Sequence, residues 1–225
     1  MPEPQPQHDE QAGEQAGEQH EPRRDAPYVS RGAHKLAAAL DAFGIDPAGR
    51  ACADLGCSTG GFTDCLLRRG AARVFAIDTA YGELAWSLRN DPRVTVMERT
   101  NALHADPPAG AGVTLAAIDL GWTKLERAVP AAARWLPLGG EIVALIKPQY
   151  EAPQPAERKK PRGPRTIADE QSREIAHGCV ETLRAEGFDA ADPIQSPVRG
   201  GARRKGASGA GNLEWLTLVR VPPTA

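Results

Sequence analysis

Apolar segments and amphipathic helical patterns alternate along most of the chain. Leu36, Leu40 and Phe43 recur at helical spacing and predict a helix over 33–43, which is followed by a short buried strand at 51–55. Further helices are predicted over 61–69, 82–89, 124–136 and 169–186. Further strands are predicted over 73–77, 94–97, 113–118, 142–146, 188–193 and 213–221. This alternation predicts a mostly parallel sheet with helices on both faces.

The predicted elements add up to an α/β fold with a seven-stranded sheet, in which the last two strands pair as an antiparallel hairpin at one edge. A length of 225 residues fits one such domain with some additional chain. We expect the domain to occupy residues 27–225. Residues 1–26 are rich in Glu, Gln, Pro and Gly and include the repeat EQAGEQAGEQ, so we expect them to form a disordered acidic tail.

The overall composition is that of an ordinary globular protein, with 41% hydrophobic and 25% charged residues. No apolar stretch approaches the roughly 18 residues of a membrane span, and the N-terminus lacks a basic region followed by an apolar run. We therefore expect a cytoplasmic protein without a membrane partner. The four cysteines have neither CxxC spacing nor accompanying His pairs, so we expect buried reduced thiols and no metal site. The sequence leaves the oligomeric state open.

A glycine-rich segment follows the first predicted strand, at the carboxyl edge where open α/β sheets bind ligands. Glycines there allow a tight turn and close approach of the backbone to a ligand. The spacing departs from the GxGxxG fingerprint, but binding of NAD stays open as an alternative to another nucleoside cofactor. The candidate cofactor-binding residues in this segment are Asp54, Gly56, Ser58, Thr59, Gly60, Gly61 and Phe62.

Two polar residues after the next strands extend this candidate cofactor site. Asp78 ends the second strand, where a carboxylate can accept hydrogen bonds from both ribose hydroxyls of a nucleoside. Asn101 follows the third strand and is a candidate for contact with an adenine edge. For Asp78, the competing interpretation is an N-cap of the following helix.

Ionisable residues beside apolar runs form a second constellation. Asp119 and Lys147 end adjacent predicted strands at the same edge as the glycine-rich segment, and Lys35 and Glu214 lie in two further segments of this kind. A hydroxyl group is a poor nucleophile at neutral pH. Transfer of a chemical group to its oxygen therefore needs a side chain that orients the hydroxyl and removes its proton, and a lysine suits this task. The competing interpretation of these four residues is a network of surface salt bridges.

The sequence resembles a known family, the FtsJ-like RNA 2′-O-ribose methyltransferases, and within it the hemolysin-A-like (TlyA) rRNA methyltransferases. The segments that carry the resemblance are YVSRGAHKLAAALDAFGI, DLGCSTGGFTDCLLRRGAARVFAID, YGELAWSLRNDPRV, ERTNAL, KPQYE and GNLEWL. The resemblance implies a Rossmann-like class I methyltransferase fold, S-adenosyl-L-methionine as cofactor, and a ribose 2′-hydroxyl of structured RNA, with ribosomal RNA expected, as substrate.

The resemblance also implies roles for individual residues. The family's Lys, Asp, Lys, Glu tetrad falls on Lys35, Asp119, Lys147 and Glu214. Lys147 would then hold and deprotonate the 2′-hydroxyl, and Asp119 would tune that lysine and also contact the cofactor. Lys35 and Glu214 would orient the ribose.

The sequence departs from the family pattern at two places that concern the substrate. TlyA-type members carry an N-terminal S4-like RNA-binding domain, whereas this chain has residues 1–26 there. Two basic segments, 158–165 and 199–205, are candidate phosphate contacts that replace it, and solvated loops are the alternative. After Asp119, the chain has Leu-Gly-Trp where the family has a small hydroxyl residue and a phenylalanine. Trp122 is a candidate for stacking on a base, with core packing as the alternative.

Three other functions compete with RNA methylation at this level. They are methylation of a small molecule by the same fold, a non-catalytic RNA-binding module, and a membrane-active protein. The two lysines and the basic segments disfavour the first, and the complete tetrad disfavours the second. No exposed apolar segment in the sequence supports membrane insertion.

Overall fold

The central strands are short apolar runs because both of their faces are covered by helices. The computed structural model describes residues 27–153, 166–200 and 211–222. The strands are β1 (Ala51–Leu55), β2 (Arg73–Ile77), β3 (Val94–Met97), β4 (Val113–Ile118), β5 (Glu141–Ile146), β6 (Asp189–Ala190), β7 (Ile194–Gln195) and β8 (Trp215–Arg220). The helices are α1 (Gly32–Phe43), α2 (Gly61–Arg68), α3 (Trp86–Arg89), α4 (Leu125–Ala133), α5 (Pro148–Glu151) and α6 (Asp169–Ala185).

The strands form one sheet in the order β3-β2-β1-β4-β5-β8-β6, and β7 also pairs with β8. The pairs β1–β2, β2–β3, β1–β4 and β4–β5 are parallel, whereas β8 runs antiparallel to β5, β6 and β7. The carboxyl ends of β1, β2, β4 and β5 therefore share one edge, which is where the candidate site residues lie.

Two hydrophobic cores lie on opposite faces of the sheet. Side chains of α1, α2 and α3 pack on one face, and side chains of α4 and α6 pack on the other. The predicted α/β class and the helices on both faces are thus confirmed.

The predicted seven strands become eight in the described part of the chain because the edge opposite β3 is interrupted. Both β6 and β7 pair with β8, and the break between them includes Pro193, which has no N–H to donate. The antiparallel pairing of the last predicted strands is confirmed. However, β8 itself lies inside the sheet, between β5 and the interrupted edge.

The largest difference from the predicted helices is at α3. The helix predicted over 82–89 begins at Trp86, because Gly82 has a left-handed φ of 78° and its N–H donates to Glu98 Oε1. The preceding residues 79–85 form a loop. The short helix α5 was not predicted.

Among the helices in the described ranges, none combines the length and apolar composition needed to cross a bilayer. The tail predicted over 1–26 lies outside the described residues.

Candidate active site

The turn after β1 is held against both neighbouring strands. The backbone N–H groups of Gly56 and Cys57 donate to the Ile77 carbonyl at 2.9 and 3.0 Å. Gly56 has a φ of 96°, and a Cβ there would lie 2.7 Å from the Asp119 carbonyl oxygen. Only glycine fits at this point, so the turn and the end of β4 are fixed relative to each other.

Helix α1 packs equally closely against the start of α2. A Cβ on Gly61 would lie 2.2 Å from Ser30 Oγ and 3.0 Å from the backbone nitrogen of Ala33. This contact brings the first turn of α1, which carries Lys35, beside the glycine-rich turn.

Asp54 is a fully buried carboxylate under this turn. Thr63 Oγ1 donates to its Oδ2 at 2.7 Å, whereas its Oδ1 has no hydrogen-bond partner in the described ranges. Burial raises the pKa of Asp54 to about 7. A buried acceptor of this kind suits a positively charged or N–H-bearing ligand group.

Asp78 is held by backbone donors on both carboxylate oxygens. Oδ2 accepts from the N–H of Ser58 at 2.8 Å, and Oδ1 accepts from the N–H of Ala80 at 2.8 Å. Because α3 begins only at Trp86, the alternative of a helix N-cap is wrong for Asp78. Each oxygen keeps a lone pair for a further donor.

Two adjoining cavities open along this edge. The larger, of about 540 Å³, is lined by residues that include Gly56, Ser58, Asp78, Asn101, Asp119 and Trp122. The smaller, of about 120 Å³, is lined by residues that include Ser30, Thr59, Gly61 and Phe62, and it shares Gly56, Ser58 and Asp119 with the first. Of the candidate cofactor residues, Asp54 and Gly60 line neither cavity. Gly60 is instead enclosed by Leu84 and Leu88.

Lys147 and Asp119 form an ion pair where β5 and β4 end side by side. Lys147 Nζ also lies 3.5 Å from the Asp119 carbonyl oxygen. The pair is mostly shielded from solvent, and its Asp119 lines both cavities.

Lys35 and Glu214 form a second ion pair, with 2.5 Å between Nζ and Oε2. Glu214 has 3% of its side chain exposed and directly precedes β8, which pairs with β5. Gly200 lies against this carboxylate, since a Cβ there would be 1.8 Å from Glu214 Oε1. The second pair is thus enclosed by α1, β8 and the backbone of Gly200.

Tyr150 links the two ion pairs. Burial raises its pKa, and the negative charges of Glu214 and Asp119 raise it further. Lys147 Nζ lies 5.9 Å from the ring centroid of Tyr150. Ile146 pairs with Trp215, so Lys147 and Glu214 lie at the same end of the adjacent strands β5 and β8, and each belongs to one of the two ion pairs. Both pairs are mostly shielded from solvent, which is not typical of a network of surface salt bridges.

Trp122 covers the outer side of Tyr150, with 4.7 Å between the ring centroids. Its side chain is 66% exposed, so the alternative of core packing is wrong. Its φ of 61° is left-handed, as is the φ of 46° at Ser58, and both residues line the larger cavity. Strained backbone at two points of one cavity is typical of functional sites.

The basic segments lie mostly outside the described residues, which include only Arg199 and Gly200 of the two. Arg199 pairs with Asp169 at 2.7 Å. The described residues that flank the segments are bonded to each other, since the N–H of Ile167 donates to Asn212 Oδ1 at 2.9 Å. Gly200 donates to the Asn212 carbonyl at 2.9 Å. The described residues that flank the two segments thus lie near Glu214.

The cysteines and the other metal-ligating side chains of the described residues do not form a disulfide or a metal site. All four thiols are free, three are buried, and burial raises the pKa of Cys52 and Cys65 to about 12. No cluster of metal-ligating side chains occurs within the ranges that the structure describes.

Three residues of the site were not selected from the sequence. Tyr150 and Glu151 lie within four positions of Lys147 in the KPQYE segment, which was the available signal. Gly200 gave no signal, because its importance depends on its distance from Glu214.

The model of the FtsJ-like methyltransferase family matches residues 28–204. This chain belongs to the FtsJ-like methyltransferase family. It is 56% identical over 125 residues to the 16S/23S rRNA (cytidine-2′-O)-methyltransferase TlyA of Mycobacterium tuberculosis strain H37Rv, an alignment that covers 55% of this chain and 47% of the relative. The chain therefore spans about half the length of this curated relative.

Two solved structures resemble the chain. A candidate hemolysin from Streptococcus thermophilus superposes with a TM-score of 0.72 at 34% identity, covering 90% of this chain and 70% of the other. An S-adenosylmethionine dependent methyltransferase from Mesorhizobium loti superposes with a TM-score of 0.55 at 21% identity, covering 84% of this chain and 98% of the other. The second likeness concerns the fold alone, which is the Rossmann-like fold of class I methyltransferases.

Proposed function

We propose that this FtsJ-like protein transfers a methyl group from S-adenosyl-L-methionine to a ribose 2′-hydroxyl of structured RNA, with ribosomal RNA as the substrate class. The observation that carries the proposal is the convergence of the Lys147–Asp119 and Lys35–Glu214 ion pairs beside two cavities at the carboxyl edge of the sheet. Two lysines and two carboxylates near the same edge of the sheet suit a polar, hydroxyl-bearing acceptor.

The residues along the glycine-rich turn fit this cofactor. Asp54 Oδ1 is a buried acceptor without a partner in the described ranges and suits the ammonium at the amino acid end. Asp78 keeps free lone pairs for the two ribose hydroxyls, and Asn101 lines the same cavity for the adenine. When bound, the cofactor would supply a methyl group that its sulfonium charge already activates, and the broken carbon–sulfur bond would leave the neutral thioether S-adenosyl-L-homocysteine.

The tetrad then has to position the ribose 2′-hydroxyl and accept its proton. Lys147 Nζ holds the ribose 2′-oxygen and takes up its proton as that oxygen gains the methyl group. Lys147 can accept this proton only as the amine, so the Lys147–Asp119 pair releases one proton to solvent before the step. Asp119 then stabilises the ammonium that forms.

Lys35 and Glu214 act as the orienting pair. Lys35 Nζ can donate to a ribose oxygen while Glu214 holds the ammonium in place. Such positioning of the nucleophile in line with the methyl group is worth several kcal/mol in an effectively unimolecular reaction.

The RNA is proposed to be held by the basic segments 158–165 and 199–205. The support is their charge, the position of their flanking residues near Glu214, and the relative from M. tuberculosis, which is named as an rRNA methyltransferase. Phosphate contacts of this kind add affinity that decreases with salt.

Incubation with tritiated S-adenosyl-L-methionine and either ribosomal subunits, free rRNA or small-molecule acceptors tests the function. The expected product is labelled rRNA in which the modified position resists alkaline cleavage, because a 2′-O-methyl group removes the attacking hydroxyl. Label on the base, or on a small molecule alone, would overturn the proposal. RNA binding without any transfer would favour a non-catalytic RNA-binding module.

A further inference from the structure

Two segments carry the Lys147–Asp119 ion pair into the site. We call residues 119–125 the aspartate loop and residues 147–151 the lysine turn. They touch at three successive points, which are Lys147 with Asp119, Tyr150 with Trp122, and Glu151 with Leu125. The first two contacts face the candidate active site, whereas the third lies behind it.

The third contact caps a helix. Glu151 Oε1 accepts a hydrogen bond from the backbone N–H of Leu125, the first residue of α4, at 2.9 Å. Lys124, the N-cap residue of α4, contributes no side-chain cap of its own. Glu151 therefore supplies the cap from 26 positions away in the sequence.

The aspartate loop depends on such support from outside. Trp122 has a left-handed φ of 61°, a conformation that is disfavoured for a large side chain, and its indole is largely exposed. Gly121, the residue before it, has no atom within 4 Å of an ideal Cβ position. Leu120 packs against the core at the start of the loop, and Thr123 Oγ1 donates to the Gly121 carbonyl at 3.3 Å. The contacts of Trp122 with Tyr150 and of Leu125 with Glu151 add support from the lysine turn to the middle and the end of the loop.

Packing behind the lysine turn is also incomplete. A cavity of about 300 Å³ lies between α4, α5 and α6 and is lined by residues that include Glu151, Cys179 and Thr182. Glu151 is mostly buried at its edge, and burial raises the pKa of its carboxyl group. With this space available, a shortened side chain at Glu151 would leave the turn and α4 without a direct bond.

We propose that Glu151 is a positioning residue. Its bond to the first amide of α4 fixes the lysine turn against the aspartate loop and so holds Lys147 and Trp122 in their positions relative to each other. This inference rests on the proposed methyltransferase function for its kinetic consequence. Its structural consequence, coupling of Glu151 to Trp122, holds independently of that function.

The test compares Glu151→Ala with Glu151→Gln, because glutamine keeps an oxygen that can accept from Leu125 while removing the charge. We expect Glu151→Ala to lower kcat by about 30-fold through misplacement of Lys147, and Glu151→Gln to stay within about threefold of wild type. The KM for S-adenosyl-L-methionine should change less than kcat in both, since most candidate cofactor residues follow β1, β2 and β3 and Asp119 alone of them lies on the aspartate loop. Thr114→Val removes the oxygen that accepts a hydrogen bond from Arg50 Nε at the opposite end of β4. This variant controls for a general loss of stability, and we expect its kcat to be unchanged.

A readout besides activity is the ¹⁹F resonance of Trp122 in protein labelled with 5-fluorotryptophan, assigned with Trp122→Phe. We expect it to shift or broaden in Glu151→Ala and to remain at the wild-type position in Glu151→Gln and Thr114→Val. A wild-type Trp122 resonance and wild-type kcat in Glu151→Ala would overturn the proposal, as would equal loss in Glu151→Gln. If wild type itself transfers no methyl group, the proposed function fails, while the resonance still decides the coupling.

Discussion

Lys35 and Glu214 are separated by 179 positions in the sequence, yet Lys35 Nζ and Glu214 Oε2 lie 2.5 Å apart in a buried ion pair. A pair of this kind costs desolvation of both charges, and replacement by apolar residues of similar volume is often neutral or stabilising. Its presence beside Tyr150 and the Lys147–Asp119 pair is therefore better explained by chemistry than by stability.

Removal of one member of this pair should harm the fold as well as the activity. We expect Lys35→Ala to lower the free energy of unfolding by about 3 kcal/mol, because it leaves the Glu214 carboxylate buried without its partner. The double variant Lys35→Met/Glu214→Leu should recover most of that stability but no methyl transfer. Urea denaturation together with the tritium assay measures both. Recovered activity in the stable double variant would remove the pair from the mechanism.

Gly200 should tolerate no side chain. A Cβ at this position would lie 1.8 Å from Glu214 Oε1, so Gly200→Ala must displace the carboxylate that holds Lys35. We expect a loss of kcat of about tenfold or more for Gly200→Ala. Gly178→Ala is the matched control, because nothing lies within 4 Å of its added Cβ. Equal kcat in both variants would show that Glu214 does not need its present position.

Asp54 should make cofactor affinity depend on pH. Its pKa is raised to about 7 by burial, so the carboxyl is mostly neutral below that pH and loses its attraction for the cofactor ammonium. Calorimetric titration should give an affinity for S-adenosyl-L-methionine up to about tenfold lower at pH 6 than at pH 8. In Asp54→Asn, the affinity should be low at both pH values. A wild-type affinity that is constant across this range would contradict the assignment.

The same carboxyl should limit stability at alkaline pH in the absence of cofactor. The folded-state pKa of Asp54 lies above its ordinary value of 3.8, so ionisation opposes folding. The penalty is full above pH 7 and disappears as the pH falls to about 4. We expect Asp54→Asn to raise Tm by a few degrees at pH 8 and by less at pH 5, as measured by scanning calorimetry. A lower Tm for this variant at pH 8 would show that the carboxylate is well compensated.

The part of the site that follows from parallel strands was predictable from sequence. Asp119 and Lys147 each end an apolar run, and parallel pairing of β4 with β5 brings such ends together. The limits of β1, β2, β3 and β4 were also predictable, because each of these strands coincides with an apolar run in the sequence. By contrast, nothing in spacing or periodicity links Lys35 to Glu214, and only the family resemblance suggested them together.

What sequence reasoning missed depends on the paths of loops. The helix predicted from Gly82 failed because a tertiary hydrogen bond to Glu98 holds that glycine in a left-handed conformation. The exposure of Trp122 and the bond from Leu125 to Glu151 arise where the segment that follows β4 contacts the segment that follows β5. These contacts join distant segments, and local patterns carry no information about them.

The central claim is that Lys147 manages the proton of a ribose hydroxyl, and one assay tests it most directly. Purified wild type, Lys147→Ala and Arg220→Ala are compared for tritium transfer to ribosomal subunits, with cofactor binding measured in parallel. Arg220 is a half-exposed residue at the end of β8 away from Glu214, where it pairs with Glu141 at 3.6 Å, so its variant controls for loss of a positive charge. We expect Lys147→Ala to bind S-adenosyl-L-methionine normally but to transfer at least about 1000-fold more slowly, whereas Arg220→Ala transfers at the wild-type rate. Transfer by Lys147→Ala at the wild-type rate would contradict the account.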